Sequence, residues 1–443
     1  MSERDGFRLR DWLLVLLLLL TSLVSITDRF AMSLLLEPIK AQLRLSDGEL
    51  GLLTGAAFGM FYALISLPMG WLSDRWSRKG VILIGIGVWT AATAACGLVA
   101  NAVQFAIARM VVGVGEAGLA PASYSLIHDR FPRRLLGRAM SVYQVGGMVG
   151  AGVAMYVAGT TYSYFLAHKS TGVPLIGGLQ PWQQTFVAIC ALSLPLMGLL
   201  AFIREPRDSA QRLSSGASAA ALVRALREDA FFYGTLFCGI SLILLVTLAL
   251  LAWLPSIIVR EYGWAPKRIG EVYGGLVAVS SVIGLLSGGA LADGFYRRGR
   301  LDAPVALSLG AAIASLCLII VLGTVSSAVA VLLVAGALHL AMGIPIGIIP
   351  AYIQTRSASQ VRGQISAIYV LAVNFFGLGV GPTLVGYASA WLAGRFGGLR
   401  TAVCAVSAGS LLVSIVLLTL LWLSRHTTRI PITASLAASS IGP

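Results

Sequence analysis

Two stretches carry ionisable side chains where their surroundings carry none: "SLVSITDRFAMSL", holding Asp28 and Arg29, and "ARMVVGVGEAGLA", holding Arg109 and Glu116. A guanidinium stays charged at any physiological pH and grips phosphate or carboxylate through forked hydrogen bonds. A carboxylate, by contrast, exchanges a proton when its partners change. Two of each define a site for an anion and a proton. An arriving anion competes with the carboxylates for the arginines, and a displaced carboxylate, unpaired and poorly solvated, takes up a proton. Arg29, Arg109, Asp28 and Glu116 are therefore the candidate substrate-binding residues, with Glu116 first and Asp28 second as proton carriers.

Such residues need elements that bring them together. One ionisable side chain at a bilayer centre costs roughly 2.5–3.5 kcal/mol, so four of them require one another. Seven residues separate Arg109 from Glu116, which sets both on one helical face about 10 Å apart along the axis. Counting from opposite helix ends, Asp28 lies about 24 Å into its helix and Arg109 about 10 Å into its own, so in a ~30 Å core their depths nearly agree. The expectation is that Asp28 pairs mainly with Arg109, with adjacent Arg29 as the other choice. A network that only fixes helix packing is disfavoured, because buried ion pairs are weak glue.

The rest of the chain supplies those helices. Hydrophobic residues make up 57% and charged residues 11% of its 443 positions. That composition excludes a water-soluble domain. Windows of about 20 apolar residues predict twelve spanning helices near 12–36, 47–72, 80–100, 103–128, 137–160, 182–203, 229–258, 268–293, 303–324, 327–353, 363–391 and 400–424. The first is too long for a signal peptide and lacks a small-residue cleavage site, so it is expected to stay as a helix. With both termini inside, inner segments hold 22 Lys and Arg against 8 in outer loops. That asymmetry orients the chain in a plasma membrane, the inner membrane of a bacterium. The net charge of +14 then belongs to a cytoplasmic membrane surface and its lipids, and no nucleic-acid partner is expected. Cys96, Cys190, Cys238, Cys317 and Cys404 fall in separate helices without metal or disulfide spacing and read as packing residues. No cofactor or metal is implied. Neither "HExxH", "GxSxG" nor paired histidines occur, so an enzyme is not expected.

Internal repetition divides the chain. "GLLTGAAFGMFYALISLPMGWLSDRWSRKG" from Gly51 and "GEVYGGLVAVSSVIGLLSGGALADGFYRRG" from Gly270 superpose under one shift, matching Gly70 with Gly289, Asp74 with Asp293, Arg78 with Arg297 and Lys79 with Arg298. "GRAMSVY" at Gly137 and "GQISAIY" at Gly363 repeat a second time. The expected organisation is an N-terminal six-helix half (1–203), a cytoplasmic linker (204–228), a C-terminal six-helix half (229–424) and a cytoplasmic tail (425–443). Ala217 to Leu226 suits a helix lying flat on the membrane. Transporters are commonly built from such repeats, with substrate at the repeat interface.

"GWLSDRWSRKG" resembles the loop signature between helices 2 and 3 of the major facilitator superfamily, and "GALADGFYRRG" stands where that family repeats it. "SITDRFAMSLLLEPIKAQLRLSDGELGLL", "RMVVGVGEAGLAPASYSLIHDRFP" and "VGGMVGAG" resemble the Spinster subfamily more narrowly, over residues 20–155. The resemblance implies an all-α integral membrane protein of twelve helices in two pseudo-symmetric halves, helices 1 and 4 lining a cavity, and a lysolipid or sphingolipid-like cargo. In the loop motif, Asp74 is placed to cap a helix N-terminus of the other half. Arg75, Arg78 and Lys79 are placed to pair with Asp129 as a gate on the outward-facing state, echoed by Asp293 and Arg297.

In the second half the candidates are His339, Asn374, Tyr273, Tyr352, Tyr369, Trp253, Phe375 and Phe376, an apolar and aromatic set that suits an amphiphile's tail. His339 reads first as a hydrogen-bonded core histidine. The expected function is a proton-coupled secondary transporter, monomeric, moving an amphiphilic, lipid-like or organic anion by alternating access. A proton symporter importing a small organic anion is the alternative, and a non-transporting receptor a distant third.

Overall fold

In lipid an apolar run must satisfy its backbone internally, so it becomes a helix. The computed structural model describes residues 9–168, 176–203, 219–300, 302–358, 361–392 and 398–424. All regular elements among them are helical. Twelve are long and apolar enough to cross a membrane, numbered here as spans 1 to 12: Arg10–Leu43, Asp47–Gly70, Arg78–Cys96, Ala102–Arg130, Arg138–Ala167, Pro181–Ala201, Ala230–Tyr262, Pro266–Tyr296, Ala303–Thr324, Ala328–Arg356, Arg362–Leu392 and Leu399–Leu423. Each overlaps one of the twelve predicted segments. Several run further, as span 1 does to Leu43, because helical backbone continues through the interface on polar residues such as Glu37 and Lys40.

Capping side chains fix where the spans begin. Ser46 accepts from the Glu49 amide while Glu49 Oε2 accepts from the Ser46 amide at 2.8 Å. This reciprocal cap starts span 2. Ser77 caps span 3 through the Gly80 amide, and Asn101 caps span 4 through the Gln104 amide.

Three spans of the first half are interrupted inside the apolar zone. Span 2 breaks at Gly55, span 4 between Glu116 and Leu119, and span 6 at Leu192. For the last two the cause is a proline shortly beyond the break. Pro121 and Pro195 have no N–H for the carbonyls of Ala117 and Ala191. In span 11 the residues Phe375–Val380 form a π-helical turn.

By proximity the chain divides into two compact units, Met1–Arg212 with Leu251–Ala278, and Leu213–Leu250 with Val279–Pro443. In the first, span 1 lies along span 5, and span 4 packs on spans 2 and 3; the end of span 7 and the start of span 8 belong with it. In the second, span 9 packs on spans 10 and 12. This division follows proximity, whereas the boundaries at 203 and 229 follow sequence duplication. Within the linker a helix, Ala219–Glu228, carries Arg224 and Arg227 exposed; 204–218 and the tail 425–443 lie outside the described residues. The five cysteines are unbonded.

Candidate functional site

The four charged residues of spans 1 and 4 meet, but not in the pairs that depth suggests. Consecutive residues on a helix point about 100° apart, so Asp28 and Arg29 face different neighbours. Arg29 turns toward span 4, where its Nη2 donates to Glu116 Oε2 at 2.7 Å. Asp28 turns toward span 3 and accepts from Thr93 Oγ1 at 3.2 Å through Oδ2. No arginine among the described residues lies within ion-pair distance of Asp28, which corrects the expected Asp28–Arg109 pair. Equal depth was necessary for that pair; the rotation of each helix about its own axis decided against it.

Arg109 makes no hydrogen bond or ion pair among the described residues. It is fully buried, and its guanidinium lies over the ring of Phe58, 4.9 Å from the centroid. Both Nε and Nη2 are without a partner, as are Glu116 Oε1 and Asp28 Oδ1. Asp28, Arg109 and Glu116 are each 1% exposed, whereas the Arg29 side chain is 15% exposed. Arg29 is thus the most accessible member of the cluster.

Small residues make this geometry possible. A Cβ on Gly113 would stand 2.7 Å from the Phe58 carbonyl oxygen, and one on Gly115 would stand 2.7 Å from the Trp89 amide nitrogen. The "GVGEAG" stretch therefore lets span 4 touch the backbones of spans 2 and 3 at once, which seats Glu116 against Arg29 and Arg109 against Phe58. We expect Gly113→Ala to lower stability by about 1–3 kcal/mol and to impair transport, because backbone cannot yield as a flexible side chain would. Gly87→Ala, which meets nothing within 4 Å, should be silent; melting in detergent compares the two.

The loop-motif residues separate by partner. Arg78, buried, pairs with Asp129 as expected. Lys79 donates instead to the carbonyl of Ala201 at 2.7 Å and to that of Ile203 at 2.8 Å. It thereby caps the end of span 6, which corrects its expected pairing with Asp129. A four-carbon stem starting one residue further along the helix points away from span 4. The side chains of Asp74 and Arg75 lie outside the described ones. Asp293 and Arg297 are exposed, without side-chain hydrogen bonds or ion pairs among the described residues.

The second-half candidates are mostly buried packing residues. His339 is buried in span 10, and Trp253 and Tyr273 are fully buried. Tyr352 and Tyr369 pack edge-on or tilted against Phe232 and Phe237. Asn374 donates to the carbonyl of Val370 one helical turn back, just before the π turn of Phe375 and Phe376.

Sequence reasoning assigned no role to Phe58, Tyr62 or Thr93, which complete the charged cluster. It also passed over a second charged group at the end of span 1. There Lys40 Nζ donates to Asp47 at 2.6 Å, and Arg260 reaches Glu37 at 2.9 Å and both oxygens of Asp47 at 2.7 and 2.8 Å. The signal was available as opposite charges in facing outer segments, but charge sign alone does not choose partners.

Twelve helices long and apolar enough to cross a membrane, three of them interrupted, and a buried charged cluster describe a multi-span membrane protein. The chain belongs to the Major Facilitator Superfamily, whose family profile matches residues 17–382. That family is one of membrane transporters, not enzymes. Among curated relatives, the chain is similar to an MFS-type efflux pump of Mycolicibacterium smegmatis, 27% identical over 300 residues, covering 67% of this chain and 66% of the other. It is also similar to protein spinster homolog 1 of Xenopus laevis, 25% identical over 320 residues, covering 68% of this chain and 58% of the other. The matches thus span about three-fifths to two-thirds of the relatives' length. Its fold resembles a bacterial homologue of the human lysosomal transporter Spinster, solved in an inward-facing, occupied conformation. That likeness has a TM-score of 0.76 and 21% identity, over 97% of this chain and 99% of the other.

Proposed function

We propose that this chain is a monomeric, proton-coupled secondary transporter, built from two six-helix halves with cytoplasmic termini, that moves an amphiphilic, lipid-like or organic anion by alternating access. The observation that carries this reading is the charge balance of the cluster. Arg29, Arg109, Asp28 and Glu116 are two cations and two anions, three of them fully buried, with one edge of Arg109, the Nε of Arg29 and two carboxylate oxygens left unpartnered. A substrate anion entering this group adds a negative charge in a medium where an uncompensated charge costs several kcal/mol. Protonation of one carboxylate restores neutrality. Binding of anion and proton is thereby mutually favourable, which is the thermodynamic content of coupling. The lipid-like or amphiphilic cargo is what the Spinster resemblance of residues 20–155 implies.

Flux into proteoliposomes, with and without a pH gradient and with proton movement followed by a trapped dye, tests the proposal. Substrate-dependent proton movement supports it; anion flux indifferent to pH would leave the cluster a binding site only.

Gating follows from the ion pairs at the two ends of the spans. At one end, Arg78 with Asp129 is proposed as the cytoplasmic latch, together with Asp74 and Arg75 of the same sequence motif. At the other, Arg260 ties the end of span 7 to Glu37 of span 1 and Asp47 of span 2, and holds the outer side closed. Arg260→Gln should shift the population toward outward-open forms by about fivefold, the equivalent of ~1 kcal/mol for a partly exposed network. Cysteine labelling near residues 37 and 47 measures it. Arg260→Lys, which keeps the positive charge facing Glu37 and Asp47, should retain most of the parent pattern if pairing is responsible.

A further inference from the structure

Phe58 holds a position that the coupling argument does not use. It follows the Gly55 interruption of span 2 by three residues, it is 1% exposed, and its backbone is pressed against Gly113. Two guanidiniums address its ring: Arg29 at 4.8 Å and Arg109 at 4.9 Å from the centroid. Tyr62, stacked on Phe58 at 5.7 Å, receives Arg29 alone, at 4.6 Å. Arg29 also has Glu116. Arg109 has no hydrogen-bond or ion-pair partner among the described residues and lies over the ring of Phe58.

A buried arginine with no carboxylate partner demands a source of stabilisation. An aromatic face provides one: its quadrupole attracts a cation, most strongly where water is excluded, and it does so without occupying an N–H. That distinction matters here. A carboxylate would bind the same edge of the guanidinium that a substrate needs. The ring leaves Nε and Nη2 free, and these two donors lie side by side on one edge, spaced for a planar oxyanion.

We infer that Phe58 is a positioning residue of the anion site, its ring shared by Arg29 and Arg109 so that the Nε–Nη2 edge of Arg109 is kept charged and unpaired for a phosphate, sulfonate or carboxylate group of the substrate. This rests on the anion-site reading above and specifies it. Arg29, held by Glu116, is the outer and exchangeable arginine; Arg109 is the inner one that receives the anion.

Fluorination of the ring separates this role from simple packing. Phenylalanine, 4-fluoro-, 3,5-difluoro- and 3,4,5-trifluorophenylalanine at position 58 keep nearly one shape while the quadrupole weakens and the ring becomes more apolar. Packing alone predicts melting temperatures that stay level or rise along the series. The shared ring predicts a fall, about 1–3 °C in all, for the unliganded full chain in phosphatidylcholine nanodiscs. An Arg109→Met background should reduce that slope to the part due to Arg29.

Dodecyl phosphate is the binding probe, with inorganic phosphate and dodecanol to separate head from tail. Its Kd should weaken about threefold to tenfold from phenylalanine to the trifluoro ring. A level or rising melting series overturns the inference whether or not dodecyl phosphate binds. A falling series in a protein that binds no dodecyl phosphate retains the ring's hold on the arginines but removes the anion-site reading, and with it the positioning role. A falling series with unchanged Kd likewise limits Phe58 to stability and overturns the assignment.

Discussion

Proton-driven accumulation should be abolished in Glu116→Gln, while substrate binding persists. The amide preserves the length and planarity of the carboxylate and still accepts from Arg29 Nη2, the contact seen at 2.7 Å. What it lacks is the capacity to take a proton when the anion adds its charge to the cluster. In the parent, the anion's added charge is balanced by protonation. In the variant one negative charge is already missing, so the anion restores neutrality by itself and binding becomes insensitive to pH. Anion affinity should therefore hold or improve, and exchange of substrate across the membrane should survive. Accumulation against a gradient, driven by pH alone, should fall by two orders of magnitude or more, roughly the difference between a coupled and an uncoupled carrier at ~3 kcal/mol of coupling. If accumulation persists, the proton is carried elsewhere, and Asp28, equally buried with one oxygen unpartnered, becomes the first residue to test.

The second large effect concerns which charges belong to which. Arg29→Met strands Glu116 without a counter-charge, and Glu116→Leu strands Arg29; each should cost about 3–5 kcal/mol, since removal of one member of a buried pair leaves the other unpaired. The Arg29→Met, Glu116→Leu double variant should cost less than the sum, because the second change relieves the charge left by the first. The same cycle on Asp28 and Arg109, which form no ion pair with each other, should come closer to additive. Detergent melting reports the stability cycle, and flux reports the functional one. Relief in the Asp28, Arg109 cycle with additivity in the Arg29, Glu116 cycle would reverse the pairing described here. Because all four charges share a poorly solvated region, some coupling is expected in every cycle; the ordering is the diagnostic quantity.

Several features were legible without any structure. Twelve spans follow from composition over windows of about 20 residues, a local property that lipid enforces on each segment separately. That Asp28, Arg29, Arg109 and Glu116 must share a site follows from the same source: four ionisable groups in apolar helices have no cheaper arrangement than proximity. The glycines of "GVGEAG" and the paired loop motifs were visible as patterns and carried the family resemblance.

Partner choice was not legible. Arg29 and Glu116 are 87 residues apart in the chain, and whether they touch depends on how far each helix is rotated about its axis and how closely the axes approach. Depth, the one coordinate that sequence counting gives, favoured Asp28 with Arg109. The contact of Gly113 with the backbone of Phe58 draws span 2 against span 4 and places an aromatic ring beside Arg109. Lys79 likewise differs from Arg78 only by one step along a helix, and that step of about 100° sends it to span 6 instead of Asp129. Sequence thus determined which residues are forced into the membrane and at what depth, because burial in lipid is costed segment by segment. Tertiary structure alone decided which acid answers which base, because a hydrogen bond of about 3 Å depends on azimuth and interhelical distance, which no single helix contains.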